Sequence, residues 1–217
     1  MIREEFRSHL HTIGIAVWSR RYQPSTSKTD DVLPGWNSLS STVRACRKCQ
    51  LHRTRASTVL GAGSKSPPCL IIGEAPGAEE DRIGEPFVGR AGHLLTAMLR
   101  SIGLTREQVY ITNMVKCRPP GNRDPLEEEI ESCEPYLLRQ IEMLSPKVIV
   151  ATGRIAAQSL LHTTEPLGRL RGRVHSHGAT LLPMIVTYHP AYLLRRPRQK
   201  SESWDDLRLL KSIMEQV

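Results

Sequence analysis

The sequence has no apolar run that approaches the roughly 20 residues a membrane-spanning helix needs. Charged residues also interrupt the apolar residues of segment 1–21, so this segment does not look like a secretion signal. We therefore expect a cytoplasmic protein that has no membrane partner.

Sequence motifs of several enzyme classes are also missing. There is no G-x-S-x-G nucleophile elbow, which argues against a Ser-His-Asp hydrolase. Neither a P-loop nor a G-x-G-x-x-G turn follows the first predicted strand, which argues against a nucleotide cofactor. Aromatic residues make up only 5% of the 217 residues. Stacking on a flat ligand would therefore depend on one or two rings.

Basic residues outnumber acidic residues, and the charged residues are unevenly distributed along the chain. Thirty Lys and Arg residues against 22 Asp and Glu residues give a formal net charge of +8. Basic residues concentrate in 169–177 and 194–200, whereas 124–134 is acidic. This distribution favours a nucleic-acid partner over a merely solvated basic face.

The length suits one domain with a proper core, preceded by an extension. Residues 1–22 have a weakly helical, basic pattern, and residues 23–37 have the polar, Pro- and Ser-rich composition of a mobile linker. We therefore predict an N-terminal extension over residues 1–37 and a folded domain over residues 38–217.

Short apolar runs and helical patterns alternate along this domain. Four nearly continuous apolar runs have the length of strands buried on both faces: 69–72, 109–115, 147–151 and 182–188. Helices are predicted over 90–102, 125–143, 153–161 and 202–215, and a small hairpin over 168–180. Asp124 is predicted to cap the second helix, with Pro125 as its first residue. The alternation predicts an α/β fold, a three-layer α/β/α sandwich around a central four-stranded parallel sheet.

Polar residues follow the predicted strands where an open α/β sheet places its ligands. Glu74 follows the first strand, Asn113 ends the second, and His189 follows the fourth. Each of them alone would be read as an ordinary loop or rim residue, but together they favour a functional site. The segment Gly73–Gly92, rich in glycine, proline and carboxylates, is predicted to be its ligand loop.

Five cysteines suggest one thiolate site. Cys46 and Cys49 form a C-x2-C pair, and Cys117 and Cys133 are its expected second half. Cys69 lies in an apolar run and is expected to be an inert core residue. The spacing alone is compatible with either zinc or an iron–sulfur cluster.

Over about residues 38–215 the chain resembles the family 4 uracil-DNA glycosylases, the iron–sulfur branch of the uracil-DNA glycosylase superfamily. Several long motifs in register make the resemblance specific. In order along the chain they are C-x2-C at 46–49, GEAPGAEEDRIGEPFVGRAG at 73–92, ITNMVKCRPPGNRDP at 111–125, Cys133, and HPAYLLR at 189–195.

The resemblance implies an enzyme that flips uracil out of DNA and hydrolyses its glycosidic bond, which begins base excision repair. It implies a [4Fe–4S] cluster on the four cysteines named above. Phe87 would stack on the base, Asn113 would read its edge, and His189 would stabilise the departing anion. Glu74 would assist the sugar and water, and Gly73 and Ala75 would line the uracil pocket. Glu80 and Asp81 are rival carboxylates for the role of Glu74.

The basic segments are expected to hold DNA phosphates, with Arg171, Arg173, Arg195 and Arg196 as the contacts. The residue that would insert into the gap left by the flipped base is expected within Leu193–Arg196. The protein is expected to act as a monomer. Two alternatives stay open: a superfamily glycosylase with other or broader deaminated-base specificity, and a non-catalytic DNA-binding module. Covalent trapping of the abasic sugar is disfavoured because the loop 117–125 carries no histidine.

Overall fold

A computed structural model of the protein describes residues 35–178 and 180–216. Residues 1–34, which make up nearly all of the predicted extension, lie outside the described residues. In chain order the helices are α1 (Trp36–Ala45), α2 (Ala78–Ile83), α3 (Arg90–Ser101), α4 (Glu127–Leu144), α5 (Arg154–Leu161), α6 (Leu167–Leu170), α7 (Pro190–Arg195) and α8 (Lys200–Gln216). The strands are β1 (Ala62–Gly63), β2 (Cys69–Gly73), β3 (Tyr110–Asn113), β4 (Val148–Thr152), β5 (Val174–Ser176) and β6 (Pro183–Thr187).

The strands form a single sheet in the order β1-β3-β2-β4-β6-β5. The four inner strands are parallel and correspond to the four predicted apolar runs, so the predicted parallel α/β sheet is confirmed. The predicted strand count is too low, because β1 and β5 pair antiparallel at the two edges. These edge strands have only two and three residues, too few for a periodic pattern to reveal them.

Helices cover both faces of the sheet, which gives the predicted three layers. All five residues of β2 are buried, and their side chains alternate between the faces. Cys69 and Ile71 pack with residues of α3 and α8, whereas Leu70 and Ile72 pack with residues of α4 and α5. Burial raises the pKa of the Cys69 thiol to about 12, which suits an unreactive core residue.

Two local predictions are wrong. Helix α4 begins at Glu127, and the N–H of Leu126 donates to Glu129 Oε2 at 2.8 Å, so Asp124 is not its cap. The hairpin predicted over 168–180 instead consists of helix α6 followed by β5, which pairs with β6. In the described part of the chain, no helix is both long and apolar enough to cross a membrane.

Asp81 of helix α2 is buried and ties this helix to the segment that follows the first two cysteines. Its carboxylate accepts hydrogen bonds from the backbone N–H groups of Ala56 (3.0 and 3.1 Å) and Ser57 (3.1 Å). A buried carboxylate that satisfies backbone donors belongs to the packing, and its loss leaves those donors without partners.

Replacing Asp81 with Ala should therefore destabilise the fold by about 1–3 kcal/mol. Chemical denaturation followed by circular dichroism measures this change in the free energy of unfolding. The matched control is Asp205→Ala, at an exposed position of α8, which should change it by less than about 0.5 kcal/mol. Equal stabilities of the two variants would contradict the packing role of Asp81.

Candidate functional site

A large cavity opens at the carboxyl ends of the parallel strands. Its lining includes Glu74, which follows β2, Asn113, which ends β3, and His189, which follows β6. Ala75 and Phe87 of the predicted ligand loop line it as well. The structure thus brings residues from three strand ends and the loop into one place.

Gly73 makes the close packing at the floor of this cavity possible. The register of the sheet places Gly73 opposite Asn113. A Cβ atom at position 73 would lie 2.4 Å from Asn113 Oδ1 and 2.7 Å from Phe87 Cζ, well inside van der Waals contact. Only glycine allows both side chains to occupy these positions, since any larger residue would displace one of them.

Asn113 presents an unpartnered donor at the cavity. Its side chain is 1% exposed, and among the described residues its carboxamide nitrogen Nδ2 has no hydrogen-bond partner. The backbone carbonyl of Asn113 accepts from Lys116 Nζ at 2.7 Å, so the strand end itself is fixed. A buried donor without a partner costs about 1–3 kcal/mol, which an acceptor on a bound ligand would recover.

Phe87 is held in an unusual backbone conformation. Its φ angle is 53°, in the left-handed region that non-glycine residues rarely adopt. Arg106 Nη1 donates to the Phe87 carbonyl at 3.1 Å and Arg106 Nη2 to the Pro86 carbonyl at 2.7 Å. The ring packs into the core and lies 5.5 Å from the His189 ring, centroid to centroid. Phe87 therefore belongs to the core and to the cavity wall at once.

The environment of His189 fixes its tautomer and keeps it neutral. Its Nδ1 accepts a hydrogen bond from the Ala191 N–H at 3.1 Å, so the proton of the neutral ring is on Nε2. Burial, reinforced by the positive charge of Arg195, lowers the pKa of His189 to about 4, although Glu80 acts in the opposite sense. The ring is therefore a neutral N–H donor at physiological pH.

Glu74 has an acidic neighbour that the sequence did not reveal. Burial raises the pKa of Glu74 to about 7, and Asp124 raises it further, while Arg154 lowers it. Asp124, interpreted from the sequence as a helix cap, instead lines the cavity and accepts from Arg154 Nη2 at 2.6 Å. The only sequence signal for this position of Asp124 is that an acidic residue ends the PPGNRD segment. The same residue is also explained by the rules for helix caps.

The rival carboxylates have other partners. Glu80 lines the cavity, but its Oε1 accepts from the backbone N–H groups of Val88 (2.9 Å) and Gly89 (3.0 Å) and so shapes the ligand loop. Asp81 binds the backbone of residues 56 and 57, as described above. Of the three carboxylates proposed from the sequence, Glu74 has the environment of a reactive group.

A second, small cavity is lined by all four cysteines of the predicted thiolate site, Cys46, Cys49, Cys117 and Cys133. Its surroundings suit an anionic group. Arg55 Nη1 lies 3.0 Å from Cys117 Sγ, and the Lys116 N–H lies 3.3 Å from Cys133 Sγ. Among the described residues, no three His, Cys, Asp or Glu side chains meet as the ligands of a single metal ion.

The predicted DNA-contacting arginines differ in their availability. Arg171 is largely buried, ion-paired with Glu202 (2.9 Å) and Asp206 (3.1 Å), which favours a packing role for it. Arg173 is exposed, with a loose contact to Glu165. Arg195 and Arg196 are exposed, and Arg195 lines the strand-end cavity.

Comparison with known proteins gives a consistent result. The model of the uracil DNA glycosylase superfamily matches residues 60–208. A type-4 uracil-DNA glycosylase of Archaeoglobus fulgidus is 47% identical over 172 residues, which cover 76% of this chain and 86% of that protein. Its counterpart in Thermotoga maritima is 45% identical over 160 residues, covering 72% and 82%. A type-5 uracil-DNA glycosylase of Pyrobaculum aerophilum is 29% identical over 175 residues, covering 72% and 75%.

The tautomer and charge of His189 can be tested directly. With a pKa near 4, its imidazole should remain neutral with the proton on Nε2 from pH 8 down to about pH 5. We expect the ¹⁵N chemical shifts of the ring to stay constant over this range. A midpoint for His189 above pH 6 would contradict the neutral assignment.

Proposed function

The chain belongs to the uracil-DNA glycosylase superfamily, and from this we propose that it flips uracil out of DNA and hydrolyses its N-glycosidic bond. The abasic site that remains is the starting point of base excision repair. One observation supports this proposal most directly: an unpartnered Asn113 donor and a neutral His189 donor line one cavity with a half-buried Glu74. These three groups match what the reaction requires of its base, leaving group and sugar.

Asn113 is proposed to read the uracil edge. Its free Nδ2 would donate to uracil O4, and its Oδ1 would accept from N3–H. Cytosine presents a donor in place of O4 and an acceptor in place of N3–H, so a fixed amide would leave buried polar groups unpaired. Sites built in this way discriminate strongly between related ligands. The packing of Asn113 against Gly73 supports a fixed orientation of the amide.

His189 and Glu74 are proposed to act on the breaking bond. The Nε2–H of His189 would donate to uracil O2 as negative charge develops there, a contribution of about 10²–10³ in rate for one well-placed donor. The sugar becomes positively charged in the transition state, and an ionised Glu74 would stabilise it and orient the attacking water. Phe87 would stack on the flipped ring, with Gly73 and Ala75 beside it.

The exposed part of the HPAYLLR segment is proposed to contact DNA. Leu193 is buried, whereas the neighbouring Leu194 is 36% exposed, which makes Leu194 the better candidate for the wedge. Arg195 and Arg196 would bind the phosphates beside the cavity, and Arg173 a more distant one. We propose that the protein acts as a monomer in the cytoplasm, whose reducing conditions suit its thiols.

We also propose that Cys46, Cys49, Cys117 and Cys133 hold a [4Fe–4S] cluster. The four thiols surround one cavity, and the cations Arg55 and Lys48 in its lining suit a group that is negatively charged when bound to four thiolates. When bound, the cluster would have a structural role. It would join the segment after α1 to the loop after β3, which begins close to Asn113.

The catalytic proposal predicts the effect of two single substitutions. Asn113→Ala and His189→Ala should each lower the rate of uracil release from a uracil-containing duplex by at least about 100-fold, since each removes a donor in a desolvated site. Release is measured by alkaline cleavage at abasic sites, and duplexes with hypoxanthine or mismatched thymine test for broader specificity. Asn37→Ala and His93→Ala, at exposed positions, are matched controls that should keep the full rate. Wild-type rates in both site variants would refute the assignment.

The cluster proposal predicts a brown protein. Purified without oxygen, it should absorb near 400 nm and contain about four iron and four sulfide per chain. Cys117→Ser should abolish the absorption, whereas Cys69→Ser should keep it because Cys69 lies in the core away from the cavity. Stoichiometric zinc in a colourless protein would instead establish a zinc site.

A further inference from the structure

The strand-end cavity contains an acidic residue for which the proposed reaction has no role. We propose that Asp124, held in place by Arg154, is a positioning residue that acts on the charge of Glu74 in the same cavity and so contributes to the pH dependence of the enzyme. This inference rests on the proposed function, because it concerns the residue that would stabilise the sugar.

The loop that carries Asp124 is anchored on both sides. Arg118 Nε donates to Asn122 Oδ1 at 2.8 Å, and the guanidinium of Arg123 binds both carboxylate oxygens of Glu129 at 2.7 and 2.8 Å. Glu129 is buried within α4. These contacts hold the loop in which Asp124 follows Arg123, and both Asp124 and Glu74 line the cavity.

Arg154 fixes the Asp124 carboxylate from a different element. It is the first residue of α5 and directly follows Gly153, the residue after β4. Its Nη2 donates to Asp124 Oδ2 at 2.6 Å, and its Nη1 donates to Gln158 Oε1 at 3.3 Å, which holds the guanidinium along the helix. Asp124 and Glu74 both line the strand-end cavity, and the charge of Asp124 disfavours the ionisation of Glu74.

The remaining charged groups of the cavity have other partners or lie elsewhere in its wall. Glu80 from α2 accepts from the backbone of the ligand loop, and Arg123 is paired with Glu129. His189 is neutral, and Arg195 of α7 acts on His189. The charges that act on Glu74 are therefore Asp124, which disfavours its ionisation, and Arg154, which favours it.

Two neighbouring carboxylates resist simultaneous ionisation, and one proton goes to the member that is less well stabilised as an anion. Arg154 pairs with the Asp124 carboxylate directly, and Glu74 is the more buried of the two, so the ionisation of Glu74 is disfavoured. Burial first, and the Asp124 carboxylate second, raise the pKa of Glu74 to about 7. The enzyme should be most active above this pH and lose activity as Glu74 takes up a proton below it.

The fall in activity at low pH is the acid limb of the pH profile. Substituting Asp124 and substituting Arg154 should move this limb in opposite directions. Asp124→Asn removes a negative charge, so Glu74 ionises more easily and the limb should move to lower pH. Arg154→Gln removes a positive charge, so the limb should move to higher pH. Asp124 and Arg154 are 59% and 52% exposed, so solvent screens them and each shift should be about half a pH unit.

The experiment is the pH profile of kcat/KM for uracil release between pH 5 and 9, measured with the full-length protein at low and high salt. Asp205→Asn, an exposed aspartate of α8 beside Arg208, is the matched control and should leave the profile unchanged. Both shifts should shrink in 1 M salt, where charges on the surface are screened within about 3 Å. A role of Asp124 in loop packing alone would lower the rate without moving the limb in opposite directions.

The outcomes separate this inference from the function on which it rests. If the wild-type protein releases no uracil at any pH, the proposed function fails and this inference fails with it. If the wild type is active and the two variants share its acid limb, only the role of Asp124 is refuted. Opposite shifts with plateau rates within about threefold of wild type would establish it.

Discussion

The arrangement of the strand-end cavity depends on the absence of a side chain at Gly73. The parallel register of β2 and β3 brings Gly73 beside Asn113, and the space a Cβ would need is taken by Asn113 Oδ1 and the Phe87 ring. The two residues proposed to recognise the base thus touch the same backbone position. Sheet register, a long-range property of the fold, thereby sets the distance between the group that would stack on a ligand and the group that would read its edge.

Lys116 connects this floor to the cysteine cavity. Its fully buried ammonium donates to Thr112 Oγ1 and to the Asn113 carbonyl, both at 2.7 Å, and its backbone N–H lies 3.3 Å from Cys133 Sγ. A buried ammonium is costly unless its hydrogen bonds are satisfied. The end of β3 and the cysteine-bearing loop are consequently parts of one hydrogen-bonded unit, and a disturbance at the thiols has a short route to Asn113.

The features of the fold and of the site that depend on continuous or local sequence patterns could be predicted from the sequence. Runs of buried apolar residues revealed the four inner strands, and the rule that ligands lie at parallel strand ends put Glu74, Asn113 and His189 together. Prediction from the sequence failed where contact with a residue far away in the chain determines the role of a side chain. Asp124 has the local signature of a helix cap, but in the fold it pairs with Arg154 and lines the cavity. From the sequence, Arg171 was predicted to contact DNA as a basic residue. In the fold it forms ion pairs with Glu202 and Asp206 of α8.

One physical effect gives His189 and Glu74 complementary states. Burial disfavours the charged form of any group, so it lowers the pKa of the imidazole to about 4 and raises that of the carboxyl to about 7. Near neutral pH the histidine is uncharged and the carboxylate is only partly ionised. A site of this kind would take up a neutral base at little electrostatic cost. Its donor and its carboxylate would then bind most strongly when charge separates between base and sugar, which is the condition for stabilising a transition state over the bound substrate.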